Sequence, residues 1–376
     1  MVFNLLGSFY AQGRRSLALK SPGLTRTALL WITTASVLGS GLFVWPLHVV
    51  LVAGQNADIA LVLALVWTVV LTLLIPSPQP SGIWHSATRI LDGVALIVTG
   101  AIDAVMLNQL AAMLQTFFYF DTPRAALILP LTAIVGLAVN RAPQTAWRMA
   151  MLWVPILIFG TAFILLLAVV NVTHLRPLAP NDQILLMPIF QGVGILAYIG
   201  VPIGTTIRLV ARKLASEPTP AWRVTAIVIP WVMLAMLYAA VMGSLGPQAL
   251  THLRWPVVFA LDHVTLDSTF FLSRIGIVVV FSWTLGVALS LMVHIRLGFT
   301  WRPMGRLTRL AVTTLVVGIW AIAALVMSSP QTSTRLLLHI IDPTARFYLI
   351  AELCAMLALR GFSAVQHRAH LPAANR

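Results

Sequence analysis

Two glycine pairs set inside long apolar stretches are the residues on which a binding chemistry can be built. Gly39 and Gly41 flank Ser40 in the stretch LGSGLFVWP, Leu38 to Pro46, and Gly192-Val193-Gly194 interrupts a second apolar stretch about 150 residues later. Each glycine weakens a helix by roughly 1 kcal/mol relative to alanine, so helices are expected to break there. A break exposes amide N–H groups at the positive end of a half-helix dipole, which attract a carboxylate. Freed carbonyls on the other half suit an ammonium or a cation. In hydrocarbon such groups persist only where they line a polar cavity or meet a ligand, and paired interruptions in two halves of a chain point to a transporter-type site. A zwitterionic amino acid meets both needs. The competing structural role for these glycines is close helix packing.

The charged residues inside apolar stretches are few. Asp103 lies near the middle of the third stretch and Glu352 in the last. A lone carboxylate there costs about 2.5 to 3.5 kcal/mol on insertion scales, so each is expected to be protonated, paired or facing water, as a proton site or as the partner of a substrate amine. Arg89 and Asp92 read as interfacial, and Arg274 as a clamp to Asp262 or Asp267. Ser282, Thr284 and Tyr198 offer hydroxyls to a ligand or cation, although hydroxyls also bond back to their own helix. The histidines, His48 and His294 among them, form no ligand-spaced pair, so no metal site is expected and most should sit at interfaces. No P-loop, dinucleotide fingerprint or activated nucleophile is present in the sequence, so neither nucleotide-driven transport nor catalysis has support and no cofactor is expected.

These residues must be positioned by helices in a bilayer. The 376-residue chain is 59% hydrophobic and 9% charged, with a mean hydropathy of +0.94, outside the range of soluble domains. Apolar runs long enough to span recur throughout. Ten spans are expected, at about 27–51, 59–75, 90–118, 125–139, 146–170, 184–210, 224–245, 270–291, 310–327 and 347–359, with a short loop helix after the seventh. The net charge of +14 reflects topology rather than nucleic acid. With the N-terminus inside, eighteen basic residues fall on the cytoplasmic side and five, Arg124, Arg176, Arg254, Arg335 and Arg346, on the other, which places both termini in the cytoplasm. Spans one and six then run in opposite directions, as an inverted five-plus-five repeat requires. Residues 1–26 read as a cytoplasmic tail without a removable signal peptide, 27–360 as the ten-helix domain and 361–376 as a second cytoplasmic tail. The single cysteine, Cys354, excludes an internal disulfide and reads as packing.

The segment GSGLF resembles the GSGIF-type signature of amino acid permeases in the amino acid-polyamine-organocation superfamily. Trp255-Pro256 opening a loop helix, FFLSRIG from Phe270 to Gly276 and FSWTLGVALSL from Phe281 to Leu291 resemble the spore germination permease family of GerAB-type germinant receptor B subunits. That resemblance implies an all-α LeuT-like fold with broken helices one and six. It implies the membrane subunit of a spore nutrient germinant receptor, in the spore inner membrane, with A-type and lipoprotein C-type partner subunits. A small nutrient such as an amino acid would bind where spans one and six unwind. A proton-coupled amino acid transporter with the same site is the alternative.

Overall fold

The computed structural model describes residues 24–39, 45–74, 83–141, 145–171, 184–214, 218–253, 255–262, 275–301, 304–327 and 329–369. Ser40 and Gly41 lie outside these residues, as do Asp267 and Arg274. Among the described residues the elements are all helical, with one isolated bridge between Leu24 and Leu214.

In chain order they are α1 (Arg26–Leu38), α2 (Trp45–Ala53), a short 3-10 turn (Gly54–Asn56), α3 (Ala57–Leu73), α4 (Ile83–Phe117), α5 (Arg124–Asn140) and α6 (Thr145–Asn171). Next come α7 (Leu186–Ile195), α8 (Ala197–Ala211), α9 (Pro220–His252), the loop helix α10 (Pro256–Asp262), α11 (Ile275–Trp301) and α12 (Arg306–Val326). The chain closes with α13 (Pro330–Leu336), a π-helical segment (Leu337–Ile341) and α14 (Asp342–Ala369). The Thr25 hydroxyl caps α1 by accepting from Ala28 N–H. Inside α9 the chain kinks at Gly246, whose φ of +76° few other residues adopt.

Among the described residues, six helical stretches are long and apolar enough to cross a membrane, or seven if the bent pair α7–α8 is one span. The sequence reading of ten differs for identifiable reasons. Alone, α1 has 13 residues and α5 has 17, each short of a full crossing. The mean hydropathy of α14 falls because it continues past the apolar segment to Ala369 through Arg360, His367 and Arg368. A belt of large apolar side chains, among them Ile97, Ile134, Phe159, Leu315, Ile322 and Phe347, faces outward, as a bilayer requires and water does not tolerate.

α1 lies against α8, and α2 against α7. α1 packs on α11 and α8 on α4; α3 packs on α9, α4 on α11 and α5 on α12; α1 packs on α6 and α8 on α14. The centre of the bundle is therefore made by α1, α2, α7 and α8, with α4 and α11 beside them.

Candidate functional site

Helix α8 begins at a real bend. The axes of α7 and α8 meet at 45°, with Leu196 as the joint; its N–H still donates to Gly192 C=O at 3.2 Å, and its carbonyl accepts from Ile199 and Gly200. The backbone is thus bent with few groups freed. Both expected glycines turn out to be points of close approach. A Cβ on Gly192 would lie 2.7 Å from Ala60 Cβ and 2.8 Å from Ala53 Cβ, and one on Gly194 would overlap the Arg346 side chain. Val193 between them is half-buried against the core. Gly39, at the end of α1, is equally tight: a Cβ there would overlap Ser290 Cβ on α11 and lie 2.7 Å from its Oγ. Ser290 donates to Ser36 C=O at 3.1 Å and sews α11 to the last turn of α1.

Around these two segment ends lies a box of buried polar and aromatic groups from four parts of the chain. Trp45 and His48 are three residues apart on α2 and share a face. The His48 ring meets Tyr198, in the first turn of α8, edge-on at 6.2 Å between centroids. Trp45 packs on Tyr238 of α9 at 5.6 Å. The Arg346 side chain lies against Gly194 and reaches Asp342, which follows the π-helical segment directly and is fully buried. Asp342 accepts from Arg346 Nε at 2.9 Å and is ion-paired with its Nη2. Both ring nitrogens of His48, Tyr198 Oη, Trp45 Nε1 and Asp342 Oδ1 are buried without a hydrogen-bond partner among the described residues. Such atoms cost about 1 to 3 kcal/mol each when left unpaired, and π segments recur at functional sites. Chemically the box holds acceptors for an ammonium (Asp342, His48) and donors for a carboxylate (Arg346, Tyr198, Trp45).

A second polar cluster lies where α3 and α8 end and α4 begins. Asp92 is fully buried and accepts from Arg208 Nε at 2.8 Å and Arg212 Nη2 at 2.7 Å. Arg208 also donates to Tyr348 Oη at 2.8 Å and is ion-paired through Nη1 with Glu352. Two cations and two carboxylates therefore neutralise one another and join α4, α8 and α14. A cavity of about 10 Å³, lined by Thr68, Thr72, Gly200, Gly204 and Glu352, adjoins the network. It has room for about one water molecule. The third cluster is a pair: Asp103 Oδ2 of α4 lies 2.8 Å from His294 Nδ1 of α11, at 2% and 4% exposure.

The residues singled out from the sequence are therefore distributed. Tyr198 and Gly194 reach the box; Gly39 and Gly192 are packing points; Glu352 and Asp103 belong to the other two clusters. Thr284 bonds back to Val280 C=O at 2.8 Å, and Ser282 is half-buried. Neither makes the approach of α11 to α1, which runs through Gly286 and Ser290. Asp92, His48 and His294, read as interfacial, are buried, and Cys354, read as packing, is exposed. Asp342 was hidden by Pro343, which reads as a loop before span ten; the π turn absorbs it. Among the described residues no group of three or more His, Cys, Asp or Glu side chains is placed to hold a metal ion.

The family described as "Spore germination protein" matches residues 97–336, close to two thirds of the chain. The chain belongs to that family. No curated protein matches the sequence. Among solved structures, the manganese transporter of Eremococcus coleocola in complex with an aromatic bis-isothiourea substituted compound is 15% identical. Its TM-score is 0.45, with 92% of this chain and 81% of that one covered. Mhp1, a nucleobase-cation-symport-1 family transporter in a closed conformation with bromovinylhydantoin bound, is 17% identical. Its TM-score is 0.46, with 84% of this chain and 74% of that one covered. Family membership and the outward apolar belt make this germination protein an integral membrane protein of permease-like build.

Proposed function

We propose that the chain is the membrane subunit of a spore nutrient germinant receptor, seated in the spore inner membrane with both termini in the cytoplasm. It works with A-type and lipoprotein C-type subunits. Its ten spans form a LeuT-like five-plus-five inverted repeat in which spans one (α1–α2) and six (α7–α8) are broken, a reading supported by the contacts of α1 with α8 and α2 with α7. The nutrient is a small zwitterion such as an amino acid. The observation that carries this is the set of unpartnered buried polar atoms on Trp45, His48, Tyr198 and Asp342 beside the bend, since it includes both acceptors and donors. Binding selects one of two arrangements of the bundle. The resulting shift in population is the signal passed to the partners.

The same site in a proton-coupled transporter is the second reading, favoured by the buried Asp103–His294 pair. Sealed proteoliposomes and a panel of labelled amino acids, with and without an inward proton gradient, separate the two. Saturable binding without accumulation supports the receptor; gradient-driven accumulation replaces it with the transporter.

A further inference from the structure

We propose that Asp103 and His294 form a proton-binding site in the middle of the bundle, which takes up one proton at His294 Nε2. The inference does not rest on the nutrient reading. It begins from geometry: the two side chains come from different helices, α4 and α11, meet at 2.8 Å, and are almost wholly shielded. Only Nδ1 of the imidazole faces the carboxylate. Nε2, on the far side of the ring, is buried without a hydrogen-bond partner.

An ionised carboxylate fixes the tautomer by accepting from Nδ1–H, which leaves Nε2 as a bare lone pair. The unprotonated pair then carries a net charge of −1 in apolar surroundings. One proton at Nε2 converts it to imidazolium beside carboxylate, a net-neutral pair, with no bond to Asp103 broken. Burying one uncompensated charge in a membrane protein is costly, so proton occupancy changes how firmly the pair holds α4 to α11.

Among the described residues, the ion pairs of Arg208, Arg212 and Arg346 are made with Asp92, Glu352 and Asp342 rather than with Asp103. The contact Asp103 makes in this structure is with the His294 ring. Arg26 opens α1 and Arg124 opens α5; Arg148 sits in the first turn of α6, and Arg306 and Arg309 in that of α12. Arg208 is held with Asp92 and Glu352, and Asp342 with Arg346. Arg296, two residues after His294 on α11, lies over the Phe299 ring. Arg335 and His339 belong to α13 and the π segment, beyond Asn108, which ties α4 to the end of α12 through Ala324 and Met327 carbonyls.

The site is placed to matter. His294 lies one helical turn from Ser290, which both donates to Ser36 C=O and fills the space over Gly39. A change in the α4–α11 contact is therefore delivered to the end of α1, where the first break begins.

The test uses the purified full-length protein in lipid nanodiscs, labelled with 15N-histidine and 13C-aspartate, followed by NMR over the pH range in which it stays folded. The signal lost in His294→Gln assigns the ring. The expected result is passage of His294 from one to two protonated nitrogens while Asp103 stays ionised. In Asp103→Asn that titration moves by about one pH unit or more, and in Asp103→Glu it is restored. Hydrogen exchange at the end of α1, corrected for its intrinsic pH dependence, differs between the two protonation states in wild type and not in His294→Gln. An imidazole that never changes protonation, or one whose titration Asp103→Asn leaves in place, overturns the proposal. If a variant fails to fold, pH-difference infrared spectra of the wild-type protein decide: imidazolium must appear without loss of a buried carboxylate band, and loss of that band overturns it.

Discussion

Alanine at Gly39 separates packing from unwinding by the sign of its effect. Gly39 has φ −79° and ψ −26°, an ordinary helical conformation that alanine adopts without strain. If the residue served only to loosen the helix, alanine would stabilise the protein by up to roughly 1 kcal/mol through helix propensity. The structure predicts the reverse. The new methyl would overlap Ser290 Cβ and lie 3.2 Å from Val287 Cα, contacts with little room to yield. Overpacking of this kind costs about 1 to 3 kcal/mol.

The companion change Ser290→Gly removes the obstructing atoms. By itself it costs roughly 1 kcal/mol for the hydrogen bond to Ser36 and roughly 1 for helix propensity. In the double variant the methyl finds space, so the two effects should be less than additive by about 1 to 3 kcal/mol. Unfolding free energies in mixed micelles, arranged as a double-mutant cycle, measure this term. A stabilising Gly39→Ala, or a cycle additive to within about 0.5 kcal/mol, would show that α1 and α11 do not meet as described. A bulkier residue at Gly39 therefore cannot report on ligand binding, because it disturbs packing first.

Gly192→Ala should be destabilising by about 1 to 3 kcal/mol because it meets the methyls of Ala53 and Ala60, whereas Gly194→Ala should cost less, since the obstructing Arg346 side chain can swing away; the same unfolding assay ranks them. Asp92→Asn removes the carboxylate shared by Arg208 and Arg212 and, among the described residues, leaves only Arg208 paired, with Glu352, and should cost about 3 to 5 kcal/mol. Removing Arg212 as well should recover part of that loss, and strict additivity would mean the network is not a unit. Tyr198→Phe deletes a buried hydroxyl that has no partner, so stability should hold or rise by about 1 kcal/mol while the nutrient response of spores falls at least roughly tenfold, one lost hydrogen bond to a charged group; an unchanged response removes Tyr198 from the site.

The membrane class, the long apolar segments and the bend between α7 and α8 were legible because hydropathy and glycine placement are local properties of sequence. The bend at Leu196 sits just beyond the Gly192–Gly194 pair for that reason. What the glycines touch was not legible, because Ser290, Ala60 and Arg346 are distant in sequence and reach them only through packing. The same holds for the charges. Asp92 read as interfacial from its position near a helix start, yet Arg208 and Arg212, one turn apart on α8, bring it inside the bundle. Asp103 was expected to need a partner, and His294 supplies it from 191 residues away. Asp342 escaped notice because Asp-Pro reads as a turn. In the structure it opens α14 directly after the π segment, with its side chain buried.

The central claim is that a small zwitterion binds between Trp45, His48, Tyr198 and Asp342. The most direct measurement is equilibrium binding of labelled amino acids to the purified protein in nanodiscs, alone and with Asp342→Asn. The account predicts saturable binding of at least one amino acid, weakened roughly tenfold or more by Asp342→Asn, as expected for a lost charge-assisted hydrogen bond, with the folded fraction unchanged. Binding that survives Asp342→Asn and Tyr198→Phe at wild-type strength would contradict it and move the site elsewhere in the bundle.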